Sequence, residues 1–268
     1  MVRYDPHAYL QLGYRRECVV SGKCFFAGHE EIDMEKYKIF PLWLGTITRA
    51  RSHFSLGLGD DTLADFPVIA YLLKGVNKSY LVDTGGTPPD GIRWMPYKQK
   101  KEENLEEALS AIGVSLEEIN SVIITHLHWD HVGALHLFPD KELYVQKKEL
   151  DYWYEQSKKP GFNRELDFTL NYKTLDGDEW LFDGIKAYLM PGHSPGMQAV
   201  WVNTVDGPII IGSDLIPVFA NYQGGKVWLS GSYSNLDELR ESTNRILEMN
   251  LFILPGHDRA VFDKVVYG

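Results

Sequence analysis

A chain of 268 residues, 44% of them hydrophobic, is long enough to bury a sizeable core in one large α/β domain. A formal net charge of −10 argues against a nucleic-acid surface, which needs a basic stripe; the one lysine-rich patch, Lys98 to Lys101, is short and runs into Glu102 and Glu103. No stretch has the length of a transmembrane helix, Met1 to Arg16 lacks the apolar centre of a signal peptide, and two cysteines cannot make a disulfide framework. The expectation is a single cytoplasmic domain over 1–268 with neither nucleic-acid nor membrane partners, in which Cys18 and Cys24 pair or stand as thiols.

Residues 1–66 read as an N-terminal extension and loop packed on the core. Gly57 and Gly59 lack the preceding strand and following helix of a phosphate loop and read as ordinary loop glycines. Apolar runs at 68–73 and 79–83 predict the first core strands. Residues 86–103, with Pro88, Pro89, Trp94, Met95, Pro96 and Tyr97, form a long loop that lines a site, contacts a partner such as a second copy, or packs on the chain's own surface. Asn104 and Glu107 have the spacing of a capping box; Leu105, Ala108, Leu109 and Ile112 then share one helical face that Gly113 closes. Ser115 with Glu118 starts a further turn. Strands follow at 121–125, 142–146, 185–190, 198–204, 208–212 and 251–254. A last helix begins at an Asn235 cap, with Leu236, Leu239, Ile246 and Leu247 at helical spacing. This order permits several α/β folds.

The 121–125 strand runs into His126-Leu127-His128-Trp129-Asp130-His131. Alternate side chains at a strand end share a face, so His126 and His128 can converge on one cation, while Asp130 and His131 on the turn beyond face a second. Imidazole and carboxylate suit borderline divalent metals, zinc first, with cobalt, iron or manganese also accepted. Three later strands end alike: Pro191-Gly192-His193-Ser194-Pro195-Gly196, Gly212-Ser213-Asp214, and Pro255-Gly256-His257. Singly, each of these residues reads as a cap or a hydrogen-bonding group. Together they describe one rim where strand ends gather polar groups over an apolar core. His7, His29 and His53 lack that context and read as surface or loop histidines, and His136 is a candidate by proximity alone. Trp129 either walls the pocket or packs behind it.

With Leu81-Val82-Asp83-Thr84-Gly85 ahead of them, these segments resemble the metallo-β-lactamase superfamily of hydrolases from about Val68 to His257, and within it the N-acyl homoserine lactone lactonase-type members. The resemblance implies an αββα sandwich, two mixed β-sheets flanked by helices. It implies that His126, His128 and His193 bind one metal and Asp130, His131 and His257 a second, with Asp214 bridging the pair. Asp83 is then an outer carboxylate that orients a ligand imidazole, or one that stabilises its own turn. The implied reaction opens a lactone ring, of an N-acyl homoserine lactone or a related ester, by attack of a hydroxide bridging the two metals, with Asp130 as proton shuttle. Several such lactonases carry a tyrosine three residues after the bridging aspartate. Here Pro217 stands there, so the carbonyl-binding role is vacant or falls to a neighbour such as Tyr222 or Tyr233. A glyoxalase II-like thioesterase is the alternative activity, and a non-catalytic metal-binding sensor the alternative of another class. Loops at 40–66, 86–103 and 215–233 are expected to wall the pocket.

Overall fold

A computed structural model describes residues 17–18, 23–26, 29–57, 60–86, 96–160, 166–223 and 226–268, with side chains from Met34 onward. Near the N-terminus β1 (Glu17–Cys18), β2 (Lys23–Phe26) and β3 (His29–Asp33) form a small antiparallel sheet that sets Cys18 opposite Cys24. The thiols of both cysteines, together with His7, the His29 side chain and the 87–95 part of the long loop, lie outside the described residues.

The main body is two sheets that follow one another along the chain. The first comprises β4 (Lys38–Ala50), β5 (Leu63–Lys74), β6 (Ser79–Val82), β7 (Tyr97–Lys98), β8 (Ile119–Ile123), β9 (Glu142–Gln146) and β10 (Tyr172–Leu175), in the spatial order β10-β9-β8-β6-β5-β4-β7. Strands β6, β8, β9 and β10 run parallel, and the others pair antiparallel. The second sheet takes β11 (Glu179–Phe182), β12 (Ile185–Leu189), β13 (Gln198–Val202), β14 (Ile209–Ser213) and β15 (Phe252–Pro255) in sequence order, with only β14 and β15 parallel.

Residues alternate between two apolar layers along these strands. Ile69, Tyr71, Leu73, Val82 and Ile123 pack inward against Val200, Val202, Ile209, Ile211 and Leu254 of the facing sheet. Val68, Ala70, Leu72, Leu81 and Val122 point the other way, under α1 (Leu105–Ser110). Behind the second sheet, Ala199, Ile210 and Ile253 pack on Leu239 and Ile246 of a C-terminal helix. A strand covered on both faces reads as a continuous apolar run, which is why these strands stand out in the sequence. Two more helices lie between, the short α2 (Trp129–Val132) and α3 (Lys147–Ser157); the C-terminal helix is α4 (Leu236–Glu248). The layers are therefore those of the expected αββα sandwich.

Caps fall where their spacing predicts. The Asn104 side chain accepts from the Glu107 N–H, the Asn235 side chain from the Asp237 and Glu238 N–H groups, and the Glu118 carboxylate from the Ser115 N–H. The expected 40–66 loop is a correction: Lys38–Ala50 is a 13-residue strand paired with β5, and only 51–62 loops out. Its register slips between Trp43 and Thr46, where Gly45 sits at φ 127° with the Tyr97 ring where a Cβ would be. Among the described residues, no helix is long and apolar enough to cross a membrane.

Candidate metal centre

Strands β6, β8, β12, β14 and β15 each lead at their carboxyl ends into one polar cluster. After β8 the chain continues extended through Thr125 to His128, and α2 then carries Asp130 and His131 in a single turn. His193 follows β12, Asp214 follows β14 and His257 follows β15. All seven residues come together as two groups: His126, His128, His193 and Asp214 in one, Asp130, His131 and His257 in the other, with the donor atoms of each within 4.8 Å of one another.

In the first group His128 Nδ1 lies 2.8 Å from both His126 Nε2 and His193 Nε2, which are 3.2 Å apart. Asp214 Oδ2 is 3.3 Å from His193 Nε2. The other oxygen, Oδ1, faces the second group, 3.0 Å from His257 Nε2 and 3.3 Å from His131 Nε2. Asp130 Oδ2 stands 3.8 and 3.9 Å from the same two nitrogens. Nitrogens arranged tetrahedrally around zinc at about 2.0–2.1 Å would be roughly 3.3 Å apart. The observed separations are close to that.

Hydrogen bonds on the outer side of the rings fix where the lone pairs point. His193 Nδ1 must donate to the Ser232 carbonyl (2.9 Å) and His257 Nδ1 to the Pro67 carbonyl (2.8 Å), since a carbonyl can only accept. His131 Nδ1 donates to Asp83 Oδ2 at 2.8 Å. The Thr125 hydroxyl donates to the same oxygen (2.7 Å), leaving its lone pairs to accept from His126 Nδ1 at 3.1 Å. Four imidazoles thus keep their Nε2 atoms turned inward. His131 Nε2, His257 Nε2 and Asp214 Oδ1 are buried with no hydrogen-bond partner. Orphaned buried acceptors are costly unless something electropositive sits among them. Such a donor set fits divalent cations.

The charges agree. Burial alone would lower the pKa of His131, but the Asp214, Asp83 and Asp130 carboxylates overrule it and hold the ring well above its usual range. Burial likewise works against the Asp214 carboxylate, yet His257, His131 and His193 keep it well below. His126 is driven well below its ordinary value by burial, then by the neighbouring His131 and His128. The second group in particular draws positive charge.

Asp83 accepts from His131 and Thr125, distant in the chain, as a carboxylate that orients an imidazole would, and itself sits at φ 62°, a conformation that aspartate tolerates better than most residues. His136 is exposed, with Nδ1 on the Gly133 carbonyl, and belongs to neither group. Trp129 is half-buried, edge-on to Tyr97 at 5.2 Å, so it closes the cluster's side against the first sheet. His53 lies in the 51–62 loop, as its sequence suggests, and outside both donor groups. Burial, then the Arg49 charge, push it down to about 4, against an opposing pull from Asp214, and its neighbour Phe54 packs 4.9 Å from the His257 ring. Asp130 in turn opposes the lowering of Arg49 by burial. Arg49 at the end of β4 and His53 just beyond it therefore lie within electrostatic reach of the cluster.

The Pro217 position has its own use, since its carbonyl accepts the His257 N–H at 2.7 Å. Tyr222 cannot stand in for the missing tyrosine: its hydroxyl donates to the Ile253 carbonyl at 3.0 Å, among the side chains behind β15. A Tyr222→Phe enzyme is expected to keep full turnover and lose about 1 kcal/mol of stability, read by steady-state kinetics and urea unfolding. Tyr233 is 45% exposed, one residue beyond the carbonyl that holds His193. Glu149, which nothing in the sequence singles out, is fully buried and accepts the N–H of Leu127, between the first two histidines.

Known proteins share this architecture. The chain is 28% identical over 212 residues to an N-acyl homoserine lactonase of a Bacillus species, covering 73% of this chain and 83% of that protein. Over a shorter stretch of 97 residues, 32% of this chain and 35% of the relative, it is 35% identical to the N-acyl homoserine lactonase AiiB of Agrobacterium fabrum. Its fold superposes on a Bacillus thuringiensis AiiA variant with N-decanoyl-L-homoserine bound, with a TM-score of 0.74 at 24% identity over 86% of this chain and 96% of that one. The Metallo-beta-lactamase superfamily profile matches residues 63–257, a span that takes in every strand from β5 to β15 and all seven converging residues. The chain belongs to the metallo-β-lactamase superfamily.

Proposed function

We propose that this protein opens lactone rings, with N-acyl homoserine lactones or closely related cyclic esters as substrates. Two divalent ions are assigned to the centre: one on His126, His128 and His193, one on Asp130, His131 and His257, with an Asp214 oxygen turned to each. The observation that carries the reading is the inward convergence of imidazole Nε2 atoms on both sides of Asp214, in a fold shared with lactonases. Divalent ions bound there supply Lewis acidity and ready water for attack near neutral pH. The protein's own part is to hold the imidazoles in one orientation through Ser232, Pro67, Asp83 and Thr125, and to place Asp130 beside them. Asp130 takes the proton of the attacking water and returns it to the ring oxygen as the acyl C–O bond breaks, giving a hydroxy acid. Beside them, the neutral His53 ring and Arg49 form the polar wall against which the substrate lies.

The test is hydrolysis by zinc-loaded protein of N-acyl homoserine lactones with short and long acyl chains, of simple γ-lactones, and of a glutathione thioester, followed by proton release. Lactone turnover that disappears on chelation and returns with zinc is expected. Cleavage of the thioester alone would replace this reading with a thioesterase, and tight metal binding without turnover of any ester would leave a sensor.

A further inference from the structure

The carboxylate of Glu149 is 0% exposed, in the first turn of α3, where a glutamate ordinarily stays in solvent and favours the helix N-terminus. One oxygen, Oε1, accepts the Leu127 N–H at 2.9 Å and the Trp153 indole N–H at 2.9 Å; the other, Oε2, accepts the Gly196 N–H at 2.8 Å. Leu127 lies between His126 and His128, and Gly196 lies three residues beyond His193. A single side chain therefore ties the segment with two histidines of the first group to the segment with the third, and those segments belong to different sheets. The join is tight, since a Cβ on Gly196 would lie 2.2 Å from the Glu149 backbone nitrogen. Trp153, held by the same carboxylate, presents its ring edge-on to His128 at 5.8 Å. No corresponding bond runs from Glu149 to Asp130, His131 or His257, whose outer contacts are Asp83 and the Pro67 carbonyl.

We propose that Glu149 is a positioning residue for the first ion alone: by clamping the Leu127 and Gly196 amides it sets the spacing of His126, His128 and His193, and hence that ion's affinity, with little effect on the second. The inference rests on the dinuclear reading above. A carboxylate is required because all three partners are donors; a glutamine would keep one oxygen for Leu127 and Trp153 but turn an N–H toward Gly196. The His193 segment would then lose its tie while the His126 segment kept its own.

Stepwise zinc affinity and the visible absorption of the cobalt-loaded protein distinguish these roles. In Glu149→Gln, one binding step is expected to weaken by about 10–100-fold, the range found when outer contacts of metal ligands are removed. The other step and its cobalt bands should stay as in the wild type. Placed in a His257→Ala background, which retains the first group, Glu149→Gln should weaken the remaining ion equally; in a His128→Ala background it should not. Equal weakening of both steps, or of neither, would overturn the assignment. Should Glu149→Gln not fold, as judged by circular dichroism, Trp153→Phe removes one tie and is expected to weaken the same step alone, by a smaller factor; a change in the other step, or in neither, would count against the proposal. A wild-type protein that takes up fewer than two ions would instead sink the dinuclear reading, so the two failures are distinguishable.

Discussion

Asp214→Asn protein is expected to hydrolyse lactones on the order of 10³-fold more slowly in kcat/KM, the loss of several kcal/mol of metal-ion catalysis. The effect should be this large because one carboxylate serves both groups, Oδ2 beside His193 and Oδ1 beside His131 and His257. Asparagine preserves the shape but removes the charge and replaces one of the two oxygens by an amide N–H, which cannot ligate a cation. Whichever way the amide turns, one group loses an oxygen donor. Gly256 keeps the place of that oxygen clear: a Cβ there would stand 2.6 Å from Asp214 Oδ1. Metal analysis of purified variant and wild-type protein should show a fall from two ions towards one or none. A variant that kept both ions and more than about a tenth of wild-type activity would remove Asp214 from its bridging place.

Asp130→Asn should separate chemistry from binding. Loss of a general acid–base group typically costs about 10²–10⁴-fold, and that loss should appear in kcat with KM little changed. Asp130 stands further from its histidine neighbours than Asp214 does, so the second ion should be retained more readily than in the Asp214 variant. The fold should survive as well, because the residue lies on the four-residue α2 turn at the rim, with no apolar packing to lose. Turnover within about threefold of wild type, with both ions bound, would require another proton carrier.

Much of this site is legible in the sequence because its donors sit directly after strands, where the chain leaves an apolar run and the side-chain period of two decides which residues meet. The strands themselves are legible for the same reason: Val68 to Leu73 or Ile209 to Ile211 are buried on both faces and read as unbroken apolar runs. Strand β4 is hidden by Pro41 and Gly45, which usually end strands. Pro41 is accommodated because β7 covers the outer side only at Thr46 and Ile47, so no ladder partner needs its missing N–H. Strand β10 is half exposed and β11 is mostly only half-buried, so both carry little pattern, and α3 is polar over most of its length. The outer contacts are illegible for a different reason. Ser232 and Pro67 act through their carbonyls, which every residue possesses, and Glu149 looks like any first-turn glutamate until two distant amides are seen to converge on it. Phe54, next to His53, packs on the His257 ring, a long-range contact that no local spacing announces.

The first sheet is complete by Leu175 and the second begins at Glu179, so the chain falls into two consecutive halves. Each donor group takes members from both: His126 and His128 meet His193 and Asp214, and Asp130 and His131 meet His257. Neither half can assemble an ion site by itself. Ions bound there as proposed would act as clasps across the seam, joined by Gln198 on the Ile124 carbonyl and Tyr71 on the Pro255 carbonyl. By linkage, whatever loosens the packing between the halves must also loosen the ions, and loading the ions must hold the halves together. Metal affinity in this protein thus doubles as a gauge of how well its two halves are docked, and a substitution far from any ligand can reach the chemistry through that seam.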